Sequence, residues 1–239
     1  MEKIKIMFLS LCIGILLILA VYAANIFSNL YFLFYNGIYG IILSTIVPLI
    51  FLYKNKENLQ SVGFKRLYLK QWIVLIGFII FSIGGQLIPL IIVGAEIKWD
   101  LIKICFFPLV MTTFFEEFLI RGFIQTKIEK QLGFIIAILI SGLIFSIYHI
   151  GYPGFRNTSD LLLLFVVGIG FALAFKLSGN NIYVSYFVNL PNAFVRYILK
   201  SNRFPILTIN AAIGAIITII LVVLILVIFY KKQMSEKVH

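Results

Sequence analysis

The sequence predicts an all-α integral membrane protein of about eight transmembrane helices in one bundle, with a polar site inside the membrane. Three observations predict it. The chain of 239 residues is 62% hydrophobic and only 12% charged, where soluble domains are about 25% charged. Apolar runs of about 20 residues, the length that spans a bilayer, recur along it. One of those runs nevertheless holds two adjacent carboxylates and an arginine, Glu116-Glu117-Phe118-Leu119-Ile120-Arg121. Acidic and basic residues at a helix centre each oppose insertion by roughly 2.5–3.5 kcal/mol. Such groups are tolerated when they face the bundle interior, pair with one another or line a wet cavity. This stretch is therefore the first candidate for function.

Taken in order, the first span is expected over about 6–24, behind the charged start Glu2-Lys3-Ile4-Lys5. Its apolar run exceeds the about 7–15 residues of a signal-peptide core, so it reads as an uncleaved span. The second covers about 30–53. A basic segment follows, with Lys54, Lys56, Lys65, Arg66 and Lys70 against Glu57. The third covers about 71–93, and Trp99 in the next connection suits a membrane interface. The fourth starts near Ile104, passes through the glutamates and turns amphipathic with Lys127, Glu129 and Lys130; Gly133 suits its C-terminal cap. The fifth covers about 134–150 and ends at the loop signal Gly151-Tyr152-Pro153-Gly154. The sixth covers about 161–177, the seventh about 182–199 with an interruption at Pro191, and the eighth about 205–230. The chain thus divides into N-terminal helices with a basic loop (1–103), a core that carries the site (104–199), and a C-terminal helix with a basic tail (200–239).

The net charge of +11 belongs to topology. Basic residues of membrane proteins concentrate in cytoplasmic loops. With both termini in the cytoplasm, 14 of the 20 Lys and Arg residues fall inside and 6 outside. Arg196, Lys200 and Arg203 are the discordant cluster. No soluble basic domain exists to bind nucleic acid, and the bilayer is the expected partner. Cys12 and Cys105 lie in apolar runs and read as small core residues. No CxxC or HExxH pattern occurs.

Within the charged stretch, Glu117 precedes Arg121 by four residues, the favourable order for a helical ion pair. That leaves Glu116 for chemistry, with an interhelical ion-pair lock as the structural alternative. His149 is the next polar point. If the fourth and fifth spans form a hairpin turning near Leu132, Glu116 and His149 each lie about 16 residues, roughly 25 Å, from the turn and share a depth. A carboxylate facing an imidazole can activate water, Glu as base and His as proton partner or oxyanion stabiliser. On the seventh span, Asn189 and Asn192 could donate to an oxyanion; helix–helix hydrogen bonding is the structural alternative.

Glu116-Glu117-xxx-Arg121 followed by Phe145-xxx-His149 resembles the first two motifs of the CAAX prenyl protease and bacteriocin-processing family of intramembrane endopeptidases. The resemblance covers about 104–193. It implies an eight-helix membrane fold, expected in a bacterial plasma membrane, and hydrolysis of a peptide bond by a glutamate-activated water. It implies Glu116 as base, His149 as its partner, and Glu117 and Arg121 as support. The substrate would be a hydrophobic peptide or a protein's C-terminal segment, processed in peptide maturation or bacteriocin self-immunity. The family's third motif, HxxxN, falls on Asn189-Leu190-Pro191-Asn192-Ala193. Asn189 stands in place of the histidine, and Asn192 lies one position before the expected asparagine. With one histidine near the site, no cofactor is expected, and zinc, which normally takes three protein ligands in catalytic sites, is not favoured. The other reading is a non-catalytic protein of this fold that binds a peptide, a transporter or a sensor kinase.

Overall fold

A backbone inside a bilayer must satisfy its own N–H and C=O groups, which leaves a helix as the form for each apolar run. The computed structural model describes residues 2–94, 96–199 and 208–236. Lys200, Arg203 and Lys237, which enter the charge count, lie outside the described residues, as does the start of the expected eighth span. Among the described residues eight long helices are present: α1 (Glu2–Ile26), α2 (Phe32–Lys54), α3 (Leu69–Ile92), α4 (101–132), α5 (Phe134–Ile147), α6 (Thr158–Leu177), α7 (Ile182–Leu199) and α8 (Ile209–Ser235). No strand occurs among the described residues. Six helices, all but α4 and α7, are long and apolar enough to cross a membrane by length and composition. The two exceptions carry the buried polar residues described below.

Two helices contain wide turns. Phe32–Ile46 of α2 and Glu117–Gln125 of α4 are π-helical, with α-helix continuing on from each. In α2 the hydroxyls of Ser44 and Thr45 donate back five residues, to the carbonyls of Tyr39 and Gly40 at 2.7 and 3.1 Å. Helix α7 runs unbroken through Pro191, where the sequence suggested an interruption. Neighbouring helices in a membrane bundle hold such a helix together despite the lost hydrogen bond.

Helix α4 is the centre of the bundle. Every residue from Phe115 to Ile128 is buried, so this segment is enclosed on all sides. Helices α2, α7 and α8 pack against its first half, and α2, α5, α6 and α7 against its π-helical part. Helix α1 packs on α2 and on the turn Tyr148–Gly151. Helix α3 is peripheral: it rests mainly on α7, and only 6% of its apolar span is buried. Cys12 and Cys105 are free thiols, half-buried and buried.

One end of the bundle carries a polar belt. There Lys127 donates to Glu57, with Lys130 3.5 Å from the same carboxylate. Lys176 pairs with Glu129, and Asn180 donates to the other oxygen of Glu129 at 3.2 Å. Gln233 of α8 donates to the Glu57 carbonyl at 2.6 Å. These contacts tie the 55–68 loop to the ends of α4 and α8, and α4 to the end of α6.

Candidate active site

The site is built on the middle of α4. Glu117 and Arg121 are wholly buried, with Glu117 Oε2 and Arg121 Nε 3.8 Å apart. The expected pair therefore exists, at ion-pair rather than hydrogen-bond distance. Arg121 is tied more closely to the α5–α6 hairpin. Its guanidinium donates to the Ser141 hydroxyl at 3.1 Å, the Ser141 carbonyl at 3.4 Å and the Gly168 carbonyl at 3.3 Å. It also lies 5.0 Å from the Phe145 ring centre, a favourable place for a cation. Ser141 donates in turn to Gln125, and Gln125 to the Ala172 carbonyl, both at 3.0 Å. Arg121, Ser141 and Gln125 lock α4 to α5 and α6.

The α4–α5 hairpin turns at Gly133, whose φ of +85° is open to glycine and strained for other residues. This turn brings the end of α5 to the depth of Glu116. The side chain that meets Glu116 is Tyr148, whose hydroxyl donates to Glu116 Oε1. His149, the expected partner, is next to it, its ring centre 4.1 Å from that of Tyr148. His149 Nδ1 lies 2.7 Å from the Phe145 carbonyl. A carbonyl only accepts, so Nδ1 carries a proton, which leaves Nε2 as the nitrogen that can take up or release one. The turn is fixed against α1 at Gly151, where a Cβ would lie 2.8 Å from the Ile18 carbonyl. A larger residue would push the Tyr148–His149 turn off α1. Sequence reading missed Tyr148. The counting signal was there: Tyr148 is as far from Leu132 as Glu116 is.

Helix α7 supplies Asn189. Its amide nitrogen donates to Glu116 Oε2 at 3.0 Å and to Glu117 Oε1 at 2.9 Å. One neutral group thus bridges the two carboxylates and occupies the position where the family motif has histidine. Asn192 is directed elsewhere. It donates to Ser82 of α3 at 2.8 Å and to the Val188 carbonyl at 2.8 Å, and accepts from Gln86 at 2.5 Å. It is the polar tie that seats α3. Ser185 bonds the Ile182 carbonyl of its own helix at 3.2 Å.

Around Tyr148 stands a cluster of buried phenols. Tyr39 stacks on it at 6.1 Å between ring centres. Tyr152 donates to Tyr35 at 2.9 Å, and Tyr35 shares a 3.0 Å hydrogen bond with Thr112 of α4. An apolar cavity of about 170 Å³ lies alongside, between Phe115 and Met111 of α4, Tyr186 of α7 and Val222 of α8. No cluster of three or more His, Cys, Asp or Glu side chains able to hold a metal ion occurs among the described residues. What the arrangement can do is proton chemistry: a buried carboxylate bonded to a phenol and an amide, with an imidazole beside the phenol.

Residues 98–195 match the family model described as Rce1-like, type II CAAX prenyl endopeptidase Rce1-like. This stretch includes Glu116, Glu117, Arg121, His149 and Asn189. No curated protein and no solved structure matches the chain. The matched family is one of proteases, and it is the one the motifs on α4 and α5 resembled. With six apolar helices among the described residues long enough to span a bilayer, the chain is an integral membrane protein, and its residues 98–195 are similar to the Rce1-like type II CAAX prenyl endopeptidase family.

Proposed function

We propose that the chain is an intramembrane endopeptidase of the CAAX-protease type, in which Glu116 activates a water to hydrolyse a peptide bond. One observation carries the reading: two adjacent glutamates are held in different ways. Glu117 faces the Arg121 cation. Glu116 is held by a phenol and an amide, both neutral. Each carboxylate oxygen has a second lone pair, so Glu116 can still accept a proton from water. The water oxygen then adds to the substrate carbonyl, and Glu116 returns the proton to the leaving nitrogen. His149, through Nε2, is the second proton carrier. Asn189 keeps the two carboxylates side by side.

The substrate would be a hydrophobic peptide or the C-terminal segment of a membrane protein. The apolar cavity beside Phe115 supports this class, as does the family's name, which points to C-terminal CAAX boxes. No cofactor enters the mechanism. We place both termini in the cytoplasm, supported by the basic residues gathered at the polar belt. The test is cleavage by the purified chain of a quenched fluorescent peptide bearing a farnesylated CAAX box, and of an unprenylated apolar peptide, with products read by mass spectrometry. Wild type is expected to cleave one of them, with Glu116→Gln slowed about 10²–10⁴-fold and His149→Ala impaired. Cleavage unchanged in Glu116→Gln would remove the mechanism. The replacement of histidine by Asn189 favours a second reading, a non-catalytic peptide-binding protein. Tight peptide binding by wild type without turnover would support it.

A further inference from the structure

The hydroxyl of Tyr148 touches the proposed base and has no task in the chemistry above. We infer that Tyr148 is a catalytic residue of this site, donating its O–H to the oxyanion that forms when water adds to the substrate carbonyl. The inference rests on the endopeptidase reading.

Asn189 and the Nδ1 hydrogen of His149 are engaged. Asn189 has two amide hydrogens and two acceptors, one on each glutamate. The Nδ1 hydrogen of His149 is held by the Phe145 carbonyl. Tyr148 differs because its partner changes during the reaction. In the resting site its O–H donates to the Glu116 carboxylate. When water gives its proton to Glu116, that carboxylate becomes neutral and a weaker acceptor. The same step forms the C–O bond and moves the carbonyl π pair onto oxygen. Negative charge leaves Glu116 and appears on the adjacent oxyanion. A phenol hydrogen that follows the charge binds the transition state better than the ground state, which is the condition for catalysis. On collapse the C–N bond breaks, the oxyanion pair re-forms the carbonyl, and the proton on Glu116 passes to nitrogen. Tyr148 keeps its own proton throughout.

The ring is positioned for this. It is 1% exposed and packed between Tyr39, Phe145 and His149. Its turn is seated on α1. A donor fixed in advance needs no reorganisation when the charge develops.

The test uses the full chain with the two peptides named above. Tyr148→Phe removes one oxygen and keeps the ring. We expect kcat to fall about 10²–10³-fold, the range for loss of one oxyanion donor, while KM stays within about 3-fold of wild type. Tyr152→Phe is the control, since it removes a hydroxyl of the same cluster that donates to Tyr35; its kcat should stay within about 3-fold of wild type. A kcat for Tyr148→Phe equal to wild type overturns the inference and leaves the endopeptidase reading standing. Equal losses in both variants overturn it too, because the hydroxyls would then serve packing. Should Tyr148→Phe fail to fold, 3-fluorotyrosine at position 148 keeps the shape with a more acidic donor. A kcat change of about 2-fold or more at constant KM is expected there, and an unchanged kcat overturns the inference. Wild type that cleaves neither peptide sinks the endopeptidase reading and the inference with it.

Discussion

Glu117 and Glu116 are neighbours in one helix, yet their surroundings differ in kind. Around Glu117 the protein is closed: the residue is 0% exposed, and so is Arg121 beside it. Arg121 is tied to two carbonyls and a hydroxyl on α5 and α6. Around Glu116 the exposure is 8%, and the partners are a phenol and an amide. Enclosure with a cation builds a strut between helices. Partial access with neutral donors leaves a carboxylate able to exchange a proton. One step along α4 separates structure from chemistry, and Asn189 is the seam between them.

The strongest way to break this division is Arg121→Met. It leaves Glu117 as an uncompensated buried charge, and removing one partner of a buried pair costs about 3–5 kcal/mol. The melting midpoint in detergent should drop steeply. The double variant Glu117→Gln with Arg121→Met should recover much of it, because no buried charge then lacks a partner. If Arg121→Met melts like wild type, the strut reading is wrong.

The next contrast is Glu116→Gln. Here activity should fall about 10²–10⁴-fold, the contribution of a positioned general base, while stability changes by less than about 1 kcal/mol. A large loss of stability would put Glu116 in the same class as Glu117.

Asn189→Leu probes the seam. Two carboxylates lose a charge-assisted hydrogen bond and are left facing each other. Each such bond contributes about 1.5–3 kcal/mol. The loss should shrink in a Glu117→Gln background, measured as a double-mutant cycle by thermal melting. Additive effects would show that the amide does not bridge the two carboxylates.

Much of this was legible in the sequence, for identifiable reasons. Glu116, Glu117 and Arg121 stand out because charge in an apolar run is costly. Gly133 marks the hairpin, and counting back from it reaches the right depth. The same count reaches Tyr148, but nothing in its residue type singled it out. A tyrosine among 12 in an aromatic-rich chain carries no charge and raises no hydropathy signal. The partners of Arg121 were hidden for another reason: two of its acceptors are backbone carbonyls, which every residue has. Asn192 shows the limit of spacing arguments. It lies three residues from Asn189 on one helix, but it bonds α3 through Ser82 and Gln86. Which neighbour lies beside each face of α7 is a property of the bundle.

A third carboxylate sharpens the comparison at its weak end. Glu57, in the loop before α3, is also paired with cations, Lys127 and Lys130, but its side chain is 23% exposed. Burial pushes its carboxyl up, and the hydrogen bond and charge of Lys127 more than reverse this, holding it below the ordinary value near 4.5. The sign follows from linkage. A carboxylate lowered on folding adds stability that is fully present above its unfolded value and is lost as pH falls through its folded value. The melting midpoint of wild type should therefore decline on acidification below about 4.5, and Glu57→Gln should flatten that decline while lowering the midpoint slightly at neutral pH. The effect should be the smallest of the series, because solvent screens a pair at this exposure, and it should weaken further in high salt. A salt-independent loss as large as that of Arg121→Met would mean that enclosure is not what separates the strut from the belt.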